Sequence, residues 1–237
     1  MKRTKIWLVS DTHFSHPNIL KYVPKRVIQT AEYIIKKQYG TINGYEKEIQ
    51  DAIDNYNEAC KNQDFDAKIE FLKWHDEMII DKWNSKIQPD DTVYFLGDFA
   101  FCHKTKFKDL SDREFVRMLE IGQQLNGHKT ILLGNHDWRK HSSYGEIVYN
   151  PTLDHFFHQC GFERVEFNPF ILSYKGKKYL LSHEPQCEII NKDGQKISIK
   201  INTGDYINKY GHIHDEGIGD KNCVCLDAND MCPCELK

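Results

Sequence analysis

Five short polar motifs stand along the chain: Asp11-Thr12-His13, Gly97-Asp98, Gly134-Asn135-His136-Asp137, Ser182-His183 and Gly211-His212-Ile213-His214. Alone, each has an ordinary explanation. A D-x-H tripeptide is commonly a turn, a G-D pair closes many strands, and a single His is more often a satisfied residue than a ligand. Together they supply carboxylates, imidazoles and an amide oxygen, a mixture that suits borderline transition metals such as Zn, Mn, Fe, Co or Ni. One such ion takes roughly four ligands and needs an open position for chemistry. The groups are numerous enough for two ions if one carboxylate bridges. Two ions about 3.5–4 Å apart clamp the attacking and departing oxygens of phosphoryl transfer.

Three of these motifs follow short apolar runs: Ile6-Trp7-Leu8-Val9, Thr92-Val93-Tyr94-Phe95-Leu96 and Thr130-Ile131-Leu132-Leu133. Such runs read as strands covered on both faces. Open α/β sheets carry their chemistry just beyond the strand C-termini, so the polar loops are expected along one edge. Between the second and third runs, Ser111-Asp112-Arg113-Glu114 is a capping-box pattern. Phe115, Met118, Leu119 and Leu125 continue it as one apolar stripe, and Gly127 stands near its end. Asn150-Pro151 opens a shorter helix that Gly161 closes. Residues 30–88 are helical in pattern, with Ile49, Ile53 and Tyr56 as one stripe and Phe65, Ile69, Leu72, Ile79, Trp83 and Ile87 as another. They are expected as a helical hairpin packed on the sheet, the alternative being a lid or a partner-binding arm. Further on, Ile171–Tyr174 and Lys178–Ser182 flank Lys175-Gly176-Lys177 as a hairpin, and residues 197–201 alternate strictly. The pattern is β–α early and mostly β late, an α/β (α+β) chain.

The 237 residues are 40% hydrophobic and 28% charged, which excludes a disordered or fibrous protein as the main description. A net charge of −3 lacks the basic field of a dedicated duplex-DNA binder. No apolar run approaches the roughly 18–20 residues of a membrane helix, and Ile6–Val9 is too short for a secretory core. A cytoplasmic chain with most of its 8 Cys reduced is the expectation. No glycine-rich phosphate loop follows a strand, so an ATPase or a dehydrogenase is not expected.

The ordered motifs resemble those of the calcineurin-like metallophosphoesterases, in particular the small single-domain phosphoesterases of bacteria and phages. Flanking residues agree: Phe14-Ser15-His16-Pro17-Asn18-Ile19 after the first motif, Phe99-Ala100 after the second, and Leu125-Asn126-Gly127. The resemblance covers most of 1–30 and 75–237. It implies a single domain over 1–237, and the segment of about 30–75, longer than in that branch, departs from it as a helical insertion. The implied fold has four layers, two mixed sheets face to face with helices outside. By the same resemblance Asp11, His13 and His214 would hold one metal, Asn135, His183 and His212 a second, and Asp98 would bridge. His136 would not be a ligand but would face the phosphate as general acid or transition-state hydrogen-bond donor, with Asp137 orienting its ring. The cofactors implied are two divalent ions among Mn, Fe, Ni and Zn, Mn favoured. A hydroxide shared by the two ions would attack phosphorus, and His136 would protonate the leaving oxygen. Acid should release the metals, because they need neutral imidazoles and ionised carboxylates. Activity is therefore expected to fail below about pH 5–6.

The substrate class expected is a small phosphodiester or phosphomonoester, such as a nucleotide or cyclic nucleotide. The alternatives are a nuclease on single strands, using a groove at Lys36-Lys37 and Trp74, and a non-catalytic scaffold with the same fold. Candidate substrate contacts are His16, Asn18, His103 and Arg139. In the tail, a turn over Asp227–Asp230 would face Cys223 with Cys234 and Cys225 with Cys232 around Zn. The competing readings bury these thiols as small apolar side chains or pair them as a disulfide.

Overall fold

The structure, a computed structural model, describes residues 4–16, 18–100, 112–137, 151–185, 188–190, 196–198 and 206–237. Strand β1 (Ile6–Val9) lies between β2 (Thr92–Phe95) and β10 (Cys234–Glu235), and β3 (His128–Leu132) and β4 (Phe162–Glu166) extend the sheet beyond β2. The four strands from β1 to β4 are parallel, and β10 closes the edge antiparallel to β1. Parallel neighbours need crossover helices. Helix α5 (Asp112–Gln124) joins β2 to β3 and α6 (Pro151–Gln159) joins β3 to β4.

The β1–β2 crossover is the longest. It runs through α1 (Ile19–Tyr22), α2 (Pro24–Tyr39), α3 (Glu46–Lys61) and α4 (Phe65–Lys86). Pro24 occupies the first turn of α2, where a missing N–H costs nothing, and Gly40 ends it at φ 78°. Asp64 caps α4 by accepting from the Ala67 N–H at 3.0 Å. The insertion expected at about 30–75 falls within this helical crossover. These helices are the crossover itself, starting at Ile19. The C-terminal half of α4 is core, with Met78, Ile79 and Trp83 packed on the main sheet, while Phe71 and Leu72 join α1–α3.

Alternation along β1 separates two cores. Trp7 and Val9 face the helices with Val93, Phe95, Ile131 and Phe157. Leu8 points the other way, into a second core with Leu96, Leu132, Tyr179 and Leu181. That second core joins the main sheet to a smaller mixed one, in which β6 (Lys177–Leu181) pairs antiparallel with β5 (Phe170–Tyr174) and parallel with β9 (Ile207–Lys209). The β5–β6 turn is Lys175-Gly176, both at positive φ, the backbone of a tight hairpin. A separate ribbon pairs β7 (Glu188–Ile190) with β8 (Lys196–Ser198), taking up the start of the alternating segment. The protein is thus a mixed α/β sandwich of two sheets. The expectation of helices outside both sheets is met on one side. Among the described residues no helix joins the core of the smaller sheet, whose outer face exposes Ile171. Ser111, which was to cap α5, lies outside the described residues.

Candidate metal centre

The polar loops leave the C-terminal ends of β1, β2, β3, β6 and β9, and they are stitched to one another. The β1 and β2 loops continue the strand pairing: the Asp11 N–H donates to the Gly97 carbonyl at 2.9 Å and the His13 N–H to the Asp98 carbonyl at 3.0 Å. The Gly211 N–H donates to the His183 carbonyl at 2.9 Å, joining the loops of the smaller sheet. Glycines allow this close approach. A Cβ on Gly97 would lie 2.6 Å from the Gly134 backbone and from His183 Nδ1.

The ligand-type residues hold a backbone that L side chains adopt rarely. Asp11 (φ 59°), His13 (48°), Asp98 (60°), His212 (73°) and His214 (48°) are all left-handed. Each such residue costs on the order of 1 kcal/mol or more, which persists where a site requires the geometry.

Two groups of side chains converge at distances that fit a metal ion: Asp11, His13 and His214, and Asp98, His183 and His212. In each, the carboxylate has one oxygen fixed by backbone and the other aimed inward. Asp11 Oδ2 accepts from the His212 N–H at 2.9 Å and the Cys225 thiol at 3.0 Å. Asp11 Oδ1 lies 3.9 Å from both His13 Nε2 and His214 Nε2. Asp98 Oδ1 accepts from the His136 N–H at 2.8 Å. Asp98 Oδ2 lies 3.4 Å from His183 Nε2 and 3.7 Å from His13 Nε2, between the two groups. The Asn135 side-chain oxygen sits 2.9 Å from His183 Nε2 and 3.0 Å from His212 Nδ1, which brings it to the second group.

These residues fit cations. Asp11 Oδ1 and His13 Nε2 are buried and have no hydrogen-bond partner, an arrangement proteins avoid unless something else satisfies the atoms. The 3.7–3.9 Å carboxylate-to-imidazole spacings are too long for hydrogen bonds. They are a few tenths of an ångström wider than the spacing of about 3.0–3.5 Å between neighbouring ligand atoms of an ion with bonds of about 2.0–2.2 Å, and the 3.4 Å between Asp98 and His183 falls within it.

The electrostatics agree with that donor set. Burial pushes His13 well below its ordinary value, so the ring is neutral and its nitrogen lone pair is available. Burial opposes the Asp98 charge, but His183, His13 and His136 outweigh it and hold the carboxyl well below the usual range. The same pairing works on His183, where burial is overcome chiefly by Asp98 and the ring rises to about 10. A proton and a cation would therefore compete for His183 beside Asp98.

His136 lies at the rim, partly exposed, with Nε2 4.0 Å from Asp98 Oδ2 and its ring 5.2 Å from that of His13. The role expected for Asp137 is corrected. Its Oδ2 accepts from the Asp98 N–H at 2.7 Å and the Gly134 N–H at 2.9 Å, and its Oδ1 from the Phe99 N–H at 2.9 Å and the Ala100 N–H at 3.4 Å. A carboxylate has about four acceptor positions, and here backbone fills them. Asp137 therefore ties the β2 and β3 loops together instead of orienting the His136 ring. Burial and the nearby Asp98 raise its pKa to about 7 against the pull of those amides.

Among the candidate substrate contacts, His16 is buried beside the site, its ring 5.9 Å from His13 and 6.5 Å from His136. Asn18 is exposed at the start of α1 and its side chain makes no capping bond. His103 and Arg139 lie outside the described residues. Lys36 and Lys37 line a cavity of about 530 Å³ between α2 and α4 with Tyr33 and Met78, away from the two groups. Lys37 pairs there with Asp81 at 2.7 Å.

The turn expected in the tail is also corrected. Asp227–Asn229 is a 3-10 turn with Asp227 buried, and Cys234 pairs with Leu8 of β1. Cys223 and Cys225 bridge to Tyr210 and Ser10 and are buried, as apolar residues would be. The described cysteines are free, and neither metal-type group includes one.

Sequence reasoning missed Arg26 and Asp227. Arg26 is fully buried and donates to both oxygens of Asp227, whose Oδ2 lies 2.7 Å from His214 Nδ1. Asp76 was missed as well. It is buried in α4 and accepts from the Ser15 N–H at 3.0 Å and from Arg117.

No family model matches the chain. The fold is similar to the crystal structure of AQ665, a protein of unknown function from Aquifex aeolicus. The two share 22% identity and a TM-score of 0.54, over 98% of this chain and 96% of that one. The uncharacterized protein MJ1445 of Methanocaldococcus jannaschii is 28% identical over 137 residues, 58% of this chain. The chain spans about half the length of that relative, 49%. Among the described residues no helix is long and apolar enough to cross a membrane.

Proposed function

We propose that the protein is a phosphoesterase that hydrolyses phosphodiester or phosphomonoester bonds at a site for two divalent transition ions, Mn favoured. The observation that carries this reading is the Asp98 carboxylate, which stands between His13 at 3.7 Å and His183 at 3.4 Å. One oxygen there can serve both groups at once. Asp11, His13 and His214 would hold one ion, and Asn135, His183 and His212 the other. Bound ions of this kind neutralise charge developing on phosphoryl oxygens and lower the pKa of water to around 7.

The chain's own residues do the remainder. The left-handed loops and the Asp137 cross-ties hold the ligands in place before substrate arrives, so little reorganisation accompanies reaction. His136, at the open rim, is the residue best placed to give a proton to the departing oxygen. His16, buried beside His13 and His136, is suited to a non-bridging phosphoryl oxygen.

The test is a substrate panel on the purified chain with added Mn: bis-aryl phosphate, aryl monophosphate, cyclic nucleotides and short single-stranded DNA. Hydrolysis of one of the first three that needs metal and falls in His136→Ala is the expected result. Cleavage of DNA alone would make the protein a nuclease. No hydrolysis of any of them by fully loaded protein would refute the reading.

A further inference from the structure

The helical crossover reaches the backbone of Asp11 and Thr12 and the Asp227 carboxylate through Arg26. Arg26, in the first turn of α2, donates from Nε to Asp227 Oδ1 at 2.7 Å and from Nη2 to Asp227 Oδ2 at 2.8 Å. This is the paired geometry that only a planar guanidinium supplies. Nη2 also donates to the Asp11 carbonyl at 2.6 Å and Nη1 to the Thr12 carbonyl at 2.9 Å. His75 Nε2 lies 3.4 Å from Nη1 and completes the surround.

Asp227 passes this order on. Both of its oxygens take guanidinium N–H bonds from Arg26, and Oδ2 also faces His214. An ionised carboxylate only accepts. The His214 Nδ1 at 2.7 Å must therefore carry a proton, and Nε2 is turned toward Asp11 Oδ1. Buried ion pairs are weak sources of stability, since apolar replacements of similar volume are often neutral or better. What this one does supply is a fixed ring.

We infer that Arg26 is a positioning residue for the Asp11–His13–His214 group, fixing His214 through Asp227 and the Asp11–Thr12 backbone directly. This rests on the two-ion reading. It makes the affinity of the first group depend on α2. The second group is oriented differently: His183 Nδ1 lies 2.7 Å from the Leu96 carbonyl at the end of β2. A change at Arg26 should reach one group and spare the other.

The test titrates the full chain with Mn²⁺ against a competing chelator. The two binding steps are assigned with His212→Ala, which removes a ligand of the second group only. Arg26→Lys keeps the charge but loses the fork, and should weaken the first-group step by about 10–100-fold, the usual effect of an outer-shell partner. The second-group step should stay within about twofold of wild type. The pair Arg26→Met with Asp227→Leu removes both charges together and guards against a misfolded single variant. Its thermal unfolding in chelator should stay cooperative while its first-group step weakens as in Arg26→Lys. In alkaline, metal-free buffer, nitrogen NMR should find the His214 proton on Nδ1 in wild type and lose that preference in the double variant. Equal weakening of both steps, or an unchanged first step, overturns the role of Arg26 alone. A wild-type chain that takes up no Mn²⁺ overturns both readings.

Discussion

The two ligand groups share a carboxylate pattern but differ in how they are held. Asp11, His13 and His214 are backed by buried charge: Arg26 grips Asp227, and Asp227 grips His214. Asp98, Asn135, His183 and His212 are backed by main chain: a strand-end carbonyl for His183, and amides that lock Asp98 and Asp137. Exposure divides them less sharply. Asp11, His13, Asp98 and His183 are all buried, His214 is half-buried, and His212 and Asn135 are the more exposed pair. The charge-backed group should exchange slowly, and the backbone-backed group, with two exposed ligands, should exchange faster.

The largest expected effect erases this difference. Asp98→Asn removes the one charge facing both groups, and both affinities should fall by more than the 10–100-fold typical of outer-shell changes. Two-step Mn titration checks it. His136→Ala should do the opposite, leaving ion uptake intact while hydrolysis falls by about 10²–10⁴-fold, measured as turnover alongside metal content. Chelator added to loaded protein should then strip the ions in two phases. The open second group should empty first and the first group later, and His212→Ala should remove the fast phase alone.

The smallest effect on the site is expected at the opposite edge of the sheet. Asp91 is buried at the start of β2, where its carboxylate accepts from the Lys5 N–H at 2.9 Å and from Trp7 Nε1 and the Gln88 N–H, each at 3.0 Å. Burial would raise its pKa, but these bonds win and lower it. Asp91→Asn should cost about 1–3 kcal/mol of folding stability and leave both ion affinities unchanged. A lowered carboxyl stabilises fully above its ordinary pKa of about 3.9 and fades as pH falls through its folded value. The difference in urea stability between variant and wild type should therefore shrink below about pH 4.

Much of the main sheet was legible because β1, β2 and β3 are short apolar runs with both faces covered. The ligand types were legible because each loop carries them next to its strand. What escaped was set by tertiary contact. Asp137 follows His136 directly, which invites a local reading, yet its carboxylate turns to amides 37–39 residues away. The left-handed backbone at Asp11, His13 and His214 involves no glycine, and the only trace in residue type is the modest preference of Asp and His for that region. Arg26 left a clearer one. It is a charge inside the buried stripe of Val27, Thr30 and Ala31, and a charge there needs a buried partner. Asp227 lies 201 residues further along the chain, too far for any local pattern to pair the two. The start of the crossover was also marked, by Pro24 and Gly40 at the two ends of α2.

Elemental analysis of Mn-loaded, desalted protein, run beside Asp98→Asn, tests the shared carboxylate most directly. Two ions per wild-type chain and a loss of both in the variant is the predicted result. No bound ion in wild type, or two that survive the substitution, would contradict it.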